Sequence, residues 1–459
     1  MRYYLAIDIG ASSGRHILCR KEGEKMVTEE IYRFSNQPKA VVTKRGKELF
    51  WDVERLFLEI VTGMKKAKEL GKIPVSVGVD TWGVDYALLD EHDALVRPVY
   101  SYRDKRTDKA VSLVHEKLPF ATLYRKTGIG FNCFNTVYQL YDDKKEGILE
   151  KAKSFLMLPD YFHFRLTGVK KQEYTNATTT GMVNAQTGSW DQEILSGLGY
   201  PSALFYSLCQ PSELVGTLSE KIKEEVGYDC RVCLPATHDT ASAVVAAPIE
   251  RGAPYISSGT WSLLGVERPF AHTDRIAQES GYSNEGGVEK TFRLQKNIMG
   301  LWMIQNVKRE AGETVGFAEL AELAKNNPVS ETVEVNDERF FSPENMTEEI
   351  SAAVGRKLSL GETAFVVFDS LARSYGESLG DLERLKGERY KTLNIIGGGS
   401  KNEFLNELTK RHTGKKIVTG PTEGTAIGNL IMQMIGDGAL SSVAEGRTLV
   451  KNSFEIKEI

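Results

Sequence analysis

Tyr3-Tyr4-Leu5-Ala6-Ile7-Asp8-Ile9-Gly10, continuing through Ala11-Ser12-Ser13-Gly14-Arg15 into His16-Ile17-Leu18-Cys19, reads as a buried strand, a turn of small residues and a second strand. Small residues let backbone N–H groups approach an anion, and Ser12 and Ser13 add hydroxyl donors, so the turn suits a phosphate. An ordinary hairpin shares this outline but has no need of Asp8 in the strand before the turn. A buried carboxylate is costly unless it is paired, hydrogen-bonded or near a cation, which makes Asp8 a candidate for a Mg²⁺-linked role. The pattern returns about 250 residues later in Ala253-Pro254-Tyr255-Ile256-Ser257-Ser258-Gly259-Thr260-Trp261-Ser262-Leu263-Leu264-Gly265. Two such hairpins point to a duplicated α/β unit with a phosphate loop on each half; chance likeness of two Gly/Ser turns is the alternative.

The 459 residues have room for two or three domains at ~100–200 residues each. Lys and Arg number 58 against 62 Asp and Glu, a net charge of -4, which argues against nucleic acid or an anionic membrane as partner. No stretch approaches the ~18 consecutive apolar residues of a membrane span, and the opening residues lack a signal-peptide pattern, so the expected location is the cytoplasm. The five cysteines are too few and scattered for a disulfide framework. Cys230-Arg-Val-Cys233 lies in a strand-like run without a second pair, which argues against a metal or redox role. Seven histidines form no metal-ligand spacing, and neither a P-loop nor a dinucleotide fingerprint occurs.

Ala236-Thr237-His238-Asp239-Thr240-Ala241-Ser242 follows the apolar Val232-Cys233-Leu234-Pro235 and precedes Ala243-Val244-Val245-Ala246-Ala247, placing Asp239 where a strand hands over to a close-packed helix. The helix N-terminus favours an ionised carboxylate, which suits a general base and equally suits an Asp N-cap. Residues 51–70 predict a one-sided surface helix through Trp51, Leu56, Ile60, Met64 and Ala67. Val75 to Asp80 predicts a strand that delivers Thr81-Trp82-Gly83-Val84-Asp85, where Gly83 permits close approach of a ligand. An aromatic beside polar groups can grip a sugar or hold the connection together. Thr107 to Gly227 reads as helices with irregular connections. Gln295 to Gln305 reads as entry into a helix presenting Asn297 in its first turn, and Thr363 to Lys386 as a long amphipathic helix. Leu393 to Ile396 predicts a strand ending in Gly397-Gly398-Gly399, with Ser400 and Glu403 as a capping box, a surface suited to a nucleotide. Small residues in Thr422 to Asn429 open a helix able to cross closely the one after Asp239.

Together, Asp8 to Arg15, Ser258-Gly259-Thr260 and Gly397 to Gly399 resemble the phosphate and adenosine motifs of the actin-like ATPase superfamily. The stretch around Asp239 resembles the FGGY carbohydrate kinases within it. The resemblance implies two duplicated ribonuclease H-like (actin-like ATPase) α/β domains with a catalytic cleft between them. Residues 1–243 would form the sugar-binding domain and 244–459 the nucleotide-binding domain, the last ~25 residues packing on the first. It implies ATP and Mg²⁺ as cofactors, with Ala11, Ser12, Ser13, Gly14, Arg15, Thr260, Gln305, Gly398 and Gly399 at the nucleotide. Gly83, His238, Asp239, Thr240 and Asn297 would hold a ketose, Asp239 would take its proton, and Asp8 would reach the metal through water. Asp80 to Tyr86, Thr237 to Ser242 and Asn297 to Trp302 narrow the ketose to L-rhamnulose, with L-fuculose, L-ribulose and D-xylulose as alternatives. An actin-like ATPase driving a peptide-binding domain lacks room after residue 400.

Overall fold

The computed structural model describes residues 2–250, 252–312 and 315–459. The strands that build its two main sheets are β1 (Tyr3–Ile9), β2 (Ser13–Glu22), β3 (Lys25–Ser35), β4 (Pro74–Thr81), β5 (Leu214–Thr217), β6 (Arg231–Cys233), β7 (Tyr255–Ser258), β8 (Trp261–Arg268), β9 (Phe292–Met299), β10 (Thr392–Ile396), β11 (Lys416–Thr419) and β12 (Lys457–Glu458). The helices that matter for the site are α1 (Val53–Glu69), α2 (Asp239–Ala246), α3 (Trp302–Ala311), α4 (Leu360–Lys386), α5 (Glu403–Thr413) and α6 (Gly424–Gly436).

The chain forms two compact units. One comprises Met1–Ala246, Arg268–Leu294 and Thr425–Ser453, the other Ala247–Glu267, Gln295–Gly424 and Phe454–Ile459. Sequence places one boundary at 243/244, whereas each unit is assembled from three segments. The boundaries inside β8 and β9 carry no Gly/Pro-rich linker, whereas the one at the start of α6 follows Gly420-Pro421 and Gly424.

In the first unit the strand order is β5-β6-β4-β1-β2-β3. β1, β2 and β3 form an antiparallel meander, and β4 and β6 continue the sheet parallel to β1. Leu5, Ala6 and Ile7 are wholly buried, as expected of a strand covered on both faces. The side chain of Asp52 caps α1 by accepting from Arg55 N at 3.0 Å, and Leu56, Ile60, Met64 and Ala67 turn inward. α6 lies close against both β4 and α2. A Cβ on Gly78 would sit 2.9 Å from Asn429 Oδ1, and one on Gly428 only 1.7 Å from the carbonyl oxygen of Ser242. The expected close crossing of the two small-residue helices is therefore present.

The same plan recurs in the second, seven-stranded sheet, whose order is the short strand Ser283–Gly286, then β9-β8-β7-β10-β11-β12, with β7 and β8 antiparallel and β7, β10 and β11 parallel. This is the duplicated α/β unit that the two hairpins predict. α4 starts at Leu360 because Ser359 and Glu362 form a complete capping box. Two local expectations fail. Asn297 lies in strand β9, not in a first helical turn, because Gly300 breaks the strand and α3 begins only at Trp302. Ser400 and Glu403 form no capping box: Ser400 Oγ donates to Gly397 O at 2.7 Å inside the 3₁₀ turn Gly398–Lys401, and Asn402 caps α5. Among the described residues no helix is long and apolar enough to cross a membrane.

Candidate active site

After β6 the chain crosses to α2 through 234–238, held from several directions. Thr81 N donates to Thr237 O at 3.0 Å, joining the end of β4 to this loop. Glu173, wholly buried, accepts from Thr237 N (3.2 Å) and Thr237 Oγ1 (2.6 Å) while capping the short helix Tyr174–Thr178. Burial raises the Glu173 pKa. It raises that of buried Asp160 well above the ordinary carboxylate range, Glu173 adding to the effect. Ser242 Oγ donates back to Ala236 O at 2.7 Å.

This loop delivers Asp239 as the first residue of α2, its side chain 31% exposed. Oδ1 accepts from Thr240 N at 2.6 Å and Thr240 Oγ1 at 3.1 Å, and His238 Nε2 lies 3.4 Å away. Oδ2 has no hydrogen-bond partner among the described residues. On the far side of the imidazole, His238 Nδ1 meets Arg293 Nη2 at 3.1 Å and Glu285 Oε2 at 3.1 Å. Arg293 is almost fully buried and donates to Glu285 Oε2 at 2.9 Å and to Gly286 O at 3.1 Å.

The register of β1 and β4 sets Asp8 opposite Asp80, both buried. Arg15 Nε lies 3.1 Å from Asp8 Oδ2. Asp80 Oδ2 accepts from Asn429 Nδ2 at 2.6 Å, but Oδ1 is buried with no hydrogen-bond partner. Burial, then the charges of Asp8 and Asp239, push Asp80 well above the usual carboxylate range against the Asn429 bond. Gln433 extends the α6 contact by donating to Asn429 Oδ1 at 2.7 Å and to Leu5 O at 2.9 Å. At the neighbouring turn, the hydroxyls of Ser12 and Ser13 have no partner among the described residues. Gly14 has a packing reason of its own: a Cβ there would lie 2.1 Å from the Phe34 ring.

In the loop after β4, Asp85 is fully buried and accepts from Trp51 Nε1 (2.6 Å), Trp82 Nε1 (2.9 Å), Tyr102 N (3.1 Å) and Gln139 Nε2 (3.2 Å). Asp85 is thus the knot of the connection, and the Trp82 indole N–H is already engaged. Burial raises its pKa to about 6 despite these donors. Gly83 packs on Thr179, whose Oγ1 would lie 2.9 Å from an added Cβ, and Val84 sits at φ +67, a strained value for a β-branched residue. Asn176 Nδ2 spans Trp82 O (3.4 Å) and Thr237 O (3.3 Å), bringing the Gly83 and His238 loops side by side.

In the second unit, the amides of Leu301 and Trp302 donate to Gly259 O (3.0 Å) and Thr260 O (3.2 Å), so α3, with Gln305, starts at the Thr260 turn. A Cβ on Gly399 would lie 2.0 Å from Ser258 Oγ, while one on Gly398 would meet nothing within 4 Å. Thr260, Gln305, Gly398 and Gly399 thus gather at one end of the second sheet. Asn297 Oδ1 is buried without a hydrogen-bond partner among the described residues. Cys230 and Cys233 are free thiols that burial pushes up to about 12, which leaves the C-x-x-C unreactive at neutral pH.

Residues 3–246 match the FGGY family of carbohydrate kinases, N-terminal domain, and residues 254–436 its C-terminal domain. The chain belongs to the FGGY family of carbohydrate kinases. It is 48% identical over 466 residues to the rhamnulokinase of Halalkalibacterium halodurans, covering 100% of this chain and 98% of that one. The rhamnulokinase of Bacillus subtilis is 41% identical over 464 residues, 99% of this chain and 94% of the relative. The fold matches a ligand-bound xylulose kinase from Lactobacillus acidophilus with a TM-score of 0.79 at 17% identity, over 98% and 92% of the two chains. It matches Plasmodium falciparum glycerol kinase with ADP at a TM-score of 0.77 and 14% identity, over 99% and 94%.

In this FGGY kinase the sequence reading misses Asp80, Glu173, Glu285 and Arg293. Asp80 carried a signal, since it stands two residues from Trp82 in a strand otherwise apolar at its centre. Glu285 and Arg293 carried none: they reach His238 only because the short strand Ser283–Gly286 and β9 lie together in the fold. Thr240, expected at the sugar, gives its amide and hydroxyl to Asp239 Oδ1.

Proposed function

We propose that this protein transfers the γ-phosphoryl group of ATP to the 1-hydroxyl of L-rhamnulose, giving L-rhamnulose 1-phosphate and ADP. The observation that carries the reading is the division of labour within Asp239, whose Oδ1 is tied down while Oδ2 is open. A general base needs one oxygen fixed and the other able to reach the hydroxyl. The full-length likeness to named rhamnulokinases supports L-rhamnulose as the ketose.

The residues fit the cofactors. The unpartnered Ser12 and Ser13 hydroxyls and the Ala11–Arg15 backbone suit phosphate oxygens, as does Thr260. The open surface at Gly398, with Gly399 and Gln305 beside it, suits a flat base and ribose. Among the described residues no three His, Cys, Asp or Glu side chains could hold a metal by themselves. Mg²⁺ keeps several waters and takes phosphate oxygens; Asp8 would hold it through water, with Asp80, whose Oδ1 has no hydrogen-bond partner among the described residues, beside it in the strand register. Bound together, ATP and Mg²⁺ supply an activated phosphorus with its charge partly neutralised.

Asp239 Oδ2 accepts the proton of the 1-hydroxyl as that oxygen attacks. His238, Gly83 and Asn297 orient the sugar, Thr240 and His238 hold the base, and Arg15 stays paired with Asp8. The transition state is loose, so alignment supplies most of the rate. On this reading residues 1–243 serve mainly the sugar and 244–459 mainly the nucleotide, and the reaction belongs in the cytoplasm. The test is ADP release with Mg²⁺ across L-rhamnulose, L-fuculose, L-ribulose, D-xylulose and glycerol. L-Rhamnulose should give the highest kcat/KM; a higher value for another ketose would reassign the substrate, and no sugar-dependent ADP release would overturn the reading.

A further inference from the structure

Resting on the sugar-kinase reading above, we propose that Arg293 is a positioning residue that sets the tautomer of His238, holding its proton on Nε2 so that the imidazole donates toward Asp239 and the ketose. Arg293 Nη2 stands 3.1 Å from His238 Nδ1 in hydrogen-bonding geometry. A guanidinium has donors and no acceptor, so in that contact Nδ1 must be the acceptor. The single proton of the neutral ring then sits on Nε2, which lies 3.4 Å from Asp239 Oδ1. Arg293 thus donates to His238 on one side of the ring, and the ring presents its own N–H on the side of Asp239 and the ketose.

Glu285 has two possible parts here, and they predict different tautomers. Its Oε2 accepts from Arg293 at 2.9 Å, balancing a guanidinium that is almost entirely out of water. The same oxygen lies 3.1 Å from His238 Nδ1. Were Glu285 the partner of that nitrogen, the proton would sit on Nδ1 and Nε2 would turn a lone pair toward Asp239 Oδ1. Two acceptors would then face each other at 3.4 Å. With Arg293 as donor, its Nη2 carries two hydrogens and has both Glu285 Oε2 and His238 Nδ1 in reach, so it bridges two acceptors that stand 3.1 Å apart.

Long-range ¹⁵N–¹H correlation of the histidine rings at about pH 8 reads the tautomer directly. The His238 signals are those lost in His238→Gln among the seven histidines. The wild type should show the Nε2–H form. Arg293→Met should move His238 toward Nδ1–H and lower kcat/KM for the ketose roughly tenfold, leaving the KM for ATP unchanged; Arg293→Lys, which keeps a cationic donor, should recover part of both. An Nδ1–H or doubly protonated His238 in the wild type would overturn the proposal, and this needs no variant to fold. So would an Arg293→Met enzyme with wild-type tautomer and kinetics. A wild type that turns over no ketose would instead sink the sugar-kinase reading while leaving the tautomer to the spectrum.

Discussion

Replacing Gly428 with alanine should disturb the base without touching it. The new Cβ would lie 1.7 Å from Ser242 O and 2.5 Å from Ser242 C, both backbone atoms, so no side-chain rotation relieves the clash. Ordinary contact is about 3.4 Å, which leaves roughly 1.7 Å to be made up by moving α2 or α6. α6 is pinned to β4 by Asn429 and Gln433, so α2 carries much of the shift. Ser242 is one helical turn from Asp239, and a displacement of ~1 Å at a reacting group can cost ~10²-fold in rate. Overpacking of this kind also costs ~1–3 kcal/mol in stability. Gly380→Ala in α4 is the matched control: its Cβ would meet only Arg384 Nη1 at 3.5 Å, and alanine there should stabilise by up to ~1 kcal/mol. Urea midpoints and kcat with both substrates saturating check the pair. If Gly428→Ala matches the control in stability and the wild type in kcat, the packing does not place Asp239.

Asp239→Asn should lower kcat by ~10²–10⁴ in the coupled assay with little change in the KM for ATP, and a wild-type rate would remove Asp239 from the mechanism. Asp85 has a folded-state pKa raised to about 6, so the folded protein binds the extra proton and gains stability as pH falls. The stability of the wild type relative to Asp85→Asn, from urea melts, should therefore grow by about 2 kcal/mol from about pH 7 to about pH 4.5. His163 has the opposite sign: burial lowers it to about 3 while its Nε2 accepts from Val79 N at 2.9 Å, so only the unfolded chain takes a proton in this window. The wild type should lose about 2.5 kcal/mol relative to His163→Gln over the same fall in pH; parallel curves would refute either assignment. Gly399→Ala, whose Cβ would lie 2.0 Å from Ser258 Oγ, should raise the KM for ATP and leave that for the ketose unchanged.

The parts legible in the sequence are those written in local pattern. Two strand–turn–strand stretches declare the duplication, the three- and four-residue spacing of Leu56, Ile60 and Met64 declares α1, and the small residues before and after Gly428 declare a close crossing. What stayed hidden depends on which distant segments meet. Asp80 matters because β4 pairs with β1 in the register that opposes it to Asp8, and no local signal sets that register. Ser400 and Glu403 have capping-box spacing, yet Asn402 caps α5 because three glycines let the chain make a 3₁₀ turn first. Asn297 was misread for a related reason: Leu301 and Trp302 have the apolar look of a helix start, and Gly300, which fits against the Trp261 backbone, keeps the preceding residues in the strand.

The two readings of Asp239 offered by its sequence context, helix cap and general base, would draw on different oxygens of one carboxylate: Oδ1 accepts from the next residue rather than from an amide two or three on, as an ordinary cap would, and the proposed base would use Oδ2. Oδ1 serves the helix start through Thr240 N and Oγ1, which fixes the plane of the group, and that fixation aims Oδ2. The aim is only as good as the loop behind it. Glu173 and Asn176 hold Thr237 from the side, Ser242 closes the loop on Ala236, and α6 backs α2 through Gly428. These ties come from residues as far apart in the chain as 173 and 428, so a short peptide spanning 234–246 would keep the motif and lose the geometry. On the proposed reading the Thr240 contacts and this long-range packing together aim Oδ2.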